Sequence, residues 1–170
     1  MKKFGKVFWI TGLSGSGKSV LGENLLPMIE KKYGKTILIH GDNIRAIYKI
    51  NSYEKSERLA LAKSNSDLCK FLIKQGINVV FTTVALMHKV HKYNRKNIKS
   101  YIEIFIKSDI QKLIQRKNKY FYVKKNKNVW GLDLKPQFPI KPHIIIVNDF
   151  SEKTTVISKK IFIKIKSILK

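Results

Sequence analysis

The chain is poor in everything that would cross-link it or carry it across a membrane. Cys69 is its sole cysteine, so an internal disulfide is impossible and a bridged secreted scaffold is excluded. No run approaches the roughly 18 uninterrupted apolar residues that a membrane span needs. No basic leader precedes an apolar core either, so the expected location is the cytoplasm. Acids are scarce, with 11 Asp and Glu against 35 Lys and Arg and a net charge of +24. Arginine is scarce as well, present only as Arg45, Arg58, Arg95 and Arg116. A reader of nucleic-acid sequence relies on the bidentate guanidinium fork, so this scarcity argues against specific nucleic-acid recognition. The other 31 basic residues are lysines scattered along the chain. With 24 isoleucines and 11 asparagines, they are the residues that AT-rich codons specify, which accounts for much of the charge without a function. A basic nucleic-acid-binding module with a vestigial nucleotide pocket is the rival reading, and it predicts steeply salt-dependent retention on nucleic acid. Under either reading the charge attracts small polyanions.

What is present fits one globular domain. The 170 residues are 44% hydrophobic and 27% charged, with no internal repeat and no low-complexity linker. Short β-branched runs alternate with helical periodicity, which predicts strands at Val7–Thr11, Thr36–His40, Asn78–Thr82, Tyr101–Ile106 and His143–Val147. Helices are predicted over Ser19–Tyr33, Glu54–Gln75, Lys89–Ile98, Asp109–Arg116 and Glu152–Lys170. The last carries Ile157, Ile161, Ile165 and Ile168 at helical spacing, for packing on the sheet. Strands joined through helices imply an α/β fold, a five-stranded parallel sheet flanked by helices, and the glycine-rich loop over 12–19 after its first strand makes it one of the P-loop NTPase type. Residues 117–141 are polar, aromatic, lysine-dense and weakly periodic, and read as a lid segment.

The strongest chemical signal is Gly12-Leu13-Ser14-Gly15-Ser16-Gly17-Lys18-Ser19. It is a full G-x-x-x-x-G-K-S match that follows an apolar strand and opens a helix. Such a loop turns its N–H groups inward on the β-phosphate, Lys18 reaches the β- and γ-phosphates, and Ser19 offers a magnesium ligand. ATP with Mg2+ is therefore the expected donor. No Asn-Lys-x-Asp segment follows a strand, which excludes a switch GTPase. A motor ATPase needs a hydrophobic strand ending in an acid, and of the candidate strands only that over 36–40, expected to lie near the loop, places a carboxylate there. That carboxylate, Asp42, suits a small-molecule kinase: a residue following a parallel strand lies at the carboxyl end of the sheet, as the loop does. An N-cap on the following helix is the competing role for Asp42. His88, His91 and His143 form no metal-like spacing with acids or Cys69 and read as non-ligands.

The P-loop together with His40-Gly41-Asp42-Asn43-Ile44-Arg45 resembles the adenylylsulfate (APS) kinase family, whose pattern is Gly-Leu-Ser-Gly-x-Gly-Lys-Ser and then Asp-Gly-Asp-Asn-Val-Arg. The family's Phe-Ser-x-x-Asp-Arg is echoed by Tyr53 to Arg58. Its Lys-Gly-Leu-Tyr and Gly-x-Asp-x-Pro-Tyr-x-x-Pro segments are echoed by Lys119 to Tyr122 and by Gly131 to Asp133 with Pro136 and Pro139. The resemblance implies ATP-dependent phosphorylation of a nucleotide's ribose 3′-hydroxyl. It implies that Asp42 acts beside that hydroxyl as a base or organises the water of magnesium, and that Arg45 and Arg58 hold the acceptor's phosphates. Tyr53 would stack on the acceptor base and Arg116 on the ATP adenine. Lys119, with Lys124, Lys125 and Lys127, would supply charge from the lid. For Arg45, Arg58 and Arg116 a solvated surface role stands beside these, and for Tyr53 core packing. The family often dimerises, so a homodimer is a possible assembly.

Departures from the pattern gather on the acceptor side. His40 stands for the first Asp, Leu61 and Lys63 for an Asn and an Arg, and Leu86-Met87 for the Ser-Pro of Ser-Phe-Ile-Ser-Pro-Tyr-Arg. An intact donor side with a changed acceptor side is what a kinase with a new acceptor would show. The resemblance extends to the family's branch in capsule phosphoramidate biosynthesis, which takes cytidine 5′-diphosphoramidate. That acceptor is the expectation, with adenylylsulfate as the alternative.

Overall fold

The computed structural model describes residues 4–50, 54–116 and 129–170. In chain order the elements are β1 (Val7–Gly12), α1 (Lys18–Tyr33), β2 (Thr36–His40), α2 (Gly41–Ile47), α3 (Lys55–Lys74), β3 (Asn78–Thr83), α4 (His88–Asn97), β4 (Tyr101–Lys107), α5 (Ile110–Gln115), β5 (Ile144–Val147) and α6 (Thr154–Ile168). The five strands form one sheet in the order β2-β3-β1-β4-β5, and each neighbouring pair is parallel. The predicted strands and long helices are found with small shifts at their ends. The fold is thus the expected P-loop α/β sheet.

Alternation along the strands sorts the core into two layers. Phe8 and Ile10 of β1 join Ile102, Ile104 and Ile106 of β4 beneath Leu21, Leu25 and Ile29 of α1 and Ile157, Ile161 and Ile165 of α6. Val7 and Trp9 face the other way with Val79 and Phe81, under α3 and α4. The Trp9 and Phe81 rings stack with centroids 4.7 Å apart. β1 and β4 are buried along almost their whole length, as strands covered on both faces are. Cys69 belongs to this second layer and is fully buried; burial pushes its thiol well above its ordinary range, so it is an inert core residue. No helix among the described residues is long and apolar enough to cross a membrane.

Two features differ from the sequence expectation. First, α2 is a separate helix of seven residues with none buried, so it has no apolar face for periodicity to detect. His40 is its N-cap residue and Asp42 lies inside its first turn. The reading of Asp42 as an N-cap is therefore corrected. Second, β3 lies between β2 and β1, so the strand carrying Asp42 is an edge strand and not the neighbour of the one that leads into the P-loop. Parallel pairing nonetheless puts every strand's carboxyl end on one side, where the chain also turns from one half of the sheet to the other. That crevice is where open α/β sheets take ligands.

Candidate active site

The P-loop is shaped by close main-chain approaches. A Cβ on Gly12 would sit 2.4 Å from the Ile106 carbonyl oxygen of β4 and 3.0 Å from Ser16 Oγ, so only glycine fits as the chain leaves the sheet. Gly17, at φ 90°, is the N-cap of α1. Lys18 Nζ donates to the Leu13 carbonyl at 2.7 Å, which holds the ammonium within the curl of the loop, and Lys18 is buried. Ser16 Oγ is buried with no hydrogen-bond partner among the described residues. It lies beneath the loop against Gly12, and the groups such a loop offers to an anionic oxygen are its backbone N–H groups. Ser14 and Gly15 are half-buried at the loop's rim, and Ser19 is exposed in the first turn of α1.

From the far side the loop is braced by Asn148, just past β5. Its Nδ2 donates to the Ser16 carbonyl at 3.0 Å, and Asn148 is itself buried. Two residues on, Phe150 lies at φ 70° with its N–H donating to Asn148 Oδ1 at 3.1 Å. The guanidinium of exposed Arg116 lies 4.2 Å over the Phe150 ring. Arg116 is thus presented on an aromatic shelf next to the P-loop brace. Asn148 and Phe150 were not picked out from the sequence as site residues. They sit beyond β5, and no local motif marks them.

At the end of β2, His40 Nδ1 is 2.8 Å from Thr82 Oγ1 of β3, and its Nε2 is 3.7 Å from Glu23 of α1. Gly41 packs tightly on the end of β3: an added Cβ would meet the Thr82 carbonyl and Thr83 Oγ1 at 3.2 Å each. The turn that presents Asp42 is therefore fixed against β3, while Asp42 itself is exposed. Arg45 is half-buried, with NH1 donating to the Ile50 carbonyl at 3.2 Å.

A second wall is formed by residues 129–138. The N–H of Gly131 donates to the Leu134 carbonyl at 2.9 Å, and Val129 N–H to Asp133 Oδ2 at 2.9 Å, which closes a tight turn. Gly131 has φ 92°, and a Cβ there would come within 2.9 Å of Ile110 and 3.3 Å of Leu13. That close seating sets the turn directly against the P-loop. Trp130, almost fully buried, carries the Arg58 guanidinium 5.7 Å from its ring centroid. Beside this pair a groove of about 450 Å³ is lined by Lys55, His88, Trp130, Leu134, Lys135 and Phe138, among others, with no carboxylate among its lining residues. Its cations and rings suit an anionic ligand with an aromatic base.

The structure thus gathers the P-loop, Asp42, Arg45, Arg58 and Arg116 around the carboxyl ends of the strands. Tyr53 and Lys119, with Lys124, Lys125 and Lys127, lie outside the described residues. Trp130, Lys55 and Lys135 were not anticipated as groove residues; the aromatic, lysine-dense composition of 117–141 was the only signal pointing there. His91 is part of a buried network centred on Glu103, and exposed His143 joins its edge by accepting the Glu103 N–H. Glu103 of β4, with no exposed surface, accepts from His91 at 2.6 Å, from Tyr101 at 3.1 Å and from Arg95. Arg95 also donates to the carbonyls of Ile140 and Lys141. Burial alone would push the Glu103 carboxyl up, but the bonds and charges of His91 and Arg95 outweigh it and hold the group below its ordinary range. No cluster of three His, Cys, Asp or Glu side chains able to hold a metal occurs among the described residues.

The sequence profile of the family described as adenylylsulphate kinase matches residues 4–147. The chain is 36% identical, over 168 residues, to the cytidine diphosphoramidate kinase of Campylobacter jejuni, covering 95% of this chain and 99% of that protein. It is 29% identical to the adenylyl-sulfate kinase of Pseudomonas aeruginosa over 163 residues, 91% of this chain and 82% of that one. Among solved structures, the Mycobacterium tuberculosis APS kinase in complex with AMPPNP and APS superposes with a TM-score of 0.87 at 21% identity, over 96% of this chain and 98% of its own.

Proposed function

The chain belongs to the adenylylsulphate kinase family of ATP-dependent nucleotide kinases, and from that premise we propose that it transfers the γ-phosphoryl group of ATP to the ribose 3′-hydroxyl of cytidine 5′-diphosphoramidate, a step in capsule phosphoramidate biosynthesis. The observation that carries the choice of acceptor is the end-to-end similarity to the Campylobacter jejuni enzyme of that name. Its support is the placement of the departures: the P-loop keeps the family's residues, whereas His40 ends β2 and Leu86 and Met87 lie buried between β3 and α4.

In this reading the P-loop amides of Gly12 to Ser19 hold the β-phosphate, and Lys18 swings from the Leu13 carbonyl to the β- and γ-phosphate oxygens. Ser19 would hold Mg2+ together with those phosphate oxygens and water. A hydroxyl without a carboxylate cage suits this ion, which is commonly carried by substrate phosphates. When bound, the ion neutralises charge on the transferring group. Arg116, with one face on Phe150, offers its other face to the adenine. Asp42 accepts the proton of the 3′-hydroxyl or orients it for in-line attack on the γ-phosphorus. Arg45 and Arg58 hold the acceptor's 5′ phosphates, with Arg58 kept planar against Trp130. Tyr53 and Lys119 complete the acceptor site, the first as a base platform and the second as a lid cation.

The test is ADP release with Mg-ATP against cytidine 5′-diphosphoramidate, adenylylsulfate and simple nucleotides, with the new phosphate located by phosphorus NMR. Turnover of the cytidine compound at its 3′-hydroxyl is the expected result. A preference for adenylylsulfate would make this a sulfate-assimilation kinase, and salt-sensitive RNA retention without turnover would make it a nucleic-acid module.

A further inference from the structure

A helix start leaves its first N–H groups without intrahelical partners, and a polar side chain at the N-cap commonly takes one of them. In α4 the N-cap residue is Met87, and no side-chain cap is made there. Its first N–H, that of His88, is nonetheless satisfied, because Gln137 Oε1 accepts it at 2.9 Å from 49 residues away. Two more bonds reinforce the contact: Gln137 N–H donates to the Leu86 carbonyl at 3.0 Å, and His88 Nε2 lies 3.0 Å from the Phe138 carbonyl. The cap of α4 thus comes from Gln137, distant in sequence, and not from the residues that open the helix.

The same residues form the groove. His88, Gln137 and Phe138 line it together with Trp130 and Lys135. The loop that leads into α4 is anchored to the donor side by Thr11 Oγ1, which donates to the Val84 carbonyl at 2.9 Å. We propose that Gln137 is a positioning residue for the acceptor site: by capping α4 it fixes the 134–138 wall against Leu86–His88 and so sets the groove in which the acceptor nucleotide is selected. This rests on the nucleotide-kinase reading above but not on which nucleotide is the acceptor.

The experiment is steady-state kinetics of Gln137→Ala, Gln137→Asn and Gln137→Glu on both cytidine 5′-diphosphoramidate and adenylylsulfate, with thermal melting beside it. Leaving a half-buried N–H unsatisfied and freeing the wall should raise the acceptor KM about tenfold in Gln137→Ala, with the ATP KM and kcat nearly unchanged. Gln137→Glu keeps an oxygen at the same reach and should restore the melting temperature, although its charge will itself repel an anionic acceptor, whereas Gln137→Asn, one methylene short, should restore neither melting nor KM. An unchanged acceptor KM in Gln137→Ala, an equal rise in both KM values, or a Gln137→Glu enzyme that melts as low as Gln137→Ala would each overturn the assignment. If the wild type turns over only adenylylsulfate, the choice of cytidine falls while the Gln137 comparison is read on adenylylsulfate.

Discussion

The two ends of the cleft are built from different materials. At the donor end the contacts are main chain: loop amides, the Leu13 carbonyl that receives Lys18, the Ser16 carbonyl that receives Asn148, and a glycine at 12 whose Cβ would strike a carbonyl. At the acceptor end they are side chains from four separate segments: Asp42 and Arg45 on α2, Lys55 and Arg58 on α3, His88 on α4, and Trp130 to Phe138. A main-chain cradle recognises what all its ligands share, a run of phosphates, and changes little when single residues change. A side-chain groove can be rebuilt one substitution at a time without disturbing the sheet. The departures are of neither kind: His40 bonds Thr82 at the end of β2, and Leu86 and Met87 are buried where β3 leads into α4, so they lie beneath the acceptor end and not in its lining, while the P-loop keeps its residues.

The sharpest way to break the comparison is Asp42→Asn, because Asp42 stands between the two ends. Loss of a general base costs about 10²–10⁴-fold in turnover, and the ATP-analogue affinity measured by titration should stay as in the wild type. Near-normal ADP release in a coupled assay would remove Asp42 from the mechanism. Lys18→Ala should cost about 10²–10³-fold, the loss expected when one preorganised donor to the transition state is removed. Unlike Asp42→Asn, it should weaken ATP-analogue binding as well. If both affinity and turnover survive Lys18→Ala, the donor site is not where the P-loop motif places it.

The same division decides what was legible in the sequence. The strands announce themselves as β-branched runs, and the P-loop as eight consecutive residues whose local geometry is their function. α2 stayed hidden because none of its residues is buried, so no apolar period marks it. Hydrophobicity shows that β2 is partly buried and not which strand it pairs with; hence the edge position of Asp42 was not seen. Contacts such as Asn148 to Ser16, 132 residues apart, and Gln137 to His88 leave no trace in either segment, because each half looks like ordinary polar loop. Trp130 was hidden for the same reason, its partner Arg58 lying far back in the chain.

The Glu103 network allows a test of the acceptor wall that leaves the chemistry alone. Glu103→Ala strands Arg95 and His91 and loosens the tie from Arg95 to Ile140 and Lys141, so stability should fall by about 3–5 kcal/mol, as for other broken buried pairs, read from a urea midpoint. The pH dependence has two steps of the same sign. Partial burial holds the His143 imidazole below its ordinary range, the Arg95 charge adding to burial and the Glu103 charge opposing it. Its Nδ1 moreover accepts the Glu103 N–H at 2.9 Å, a bond that protonation there would break. The folded state therefore binds fewer protons than the unfolded one, and stability should begin to fall as the pH drops below 6.5, the ordinary histidine value. Glu103, also held below its ordinary value of 4.5, adds a second loss below that pH. In Glu103→Ala the lower step should vanish. A flat stability profile between pH 7 and 3 would mean that the network does not brace the wall.

The smallest and most discriminating change is Arg58→Lys. It keeps the charge, and so keeps whatever long-range attraction the +24 chain exerts on an anionic acceptor. What it removes is the planar fork, which both lies over Trp130 and would grip two phosphate oxygens at once. If the acceptor end works through side-chain geometry, the acceptor KM should rise about tenfold, the worth of one good charge-assisted hydrogen bond, with the ATP KM unmoved. If net charge alone draws the acceptor in, the KM will stay put in Arg58→Lys and climb with added salt in the wild type and the variant alike. The first outcome assigns acceptor selection to the α3–Trp130 wall. The second would leave the groove as a basic surface and move the search for specificity back to α2.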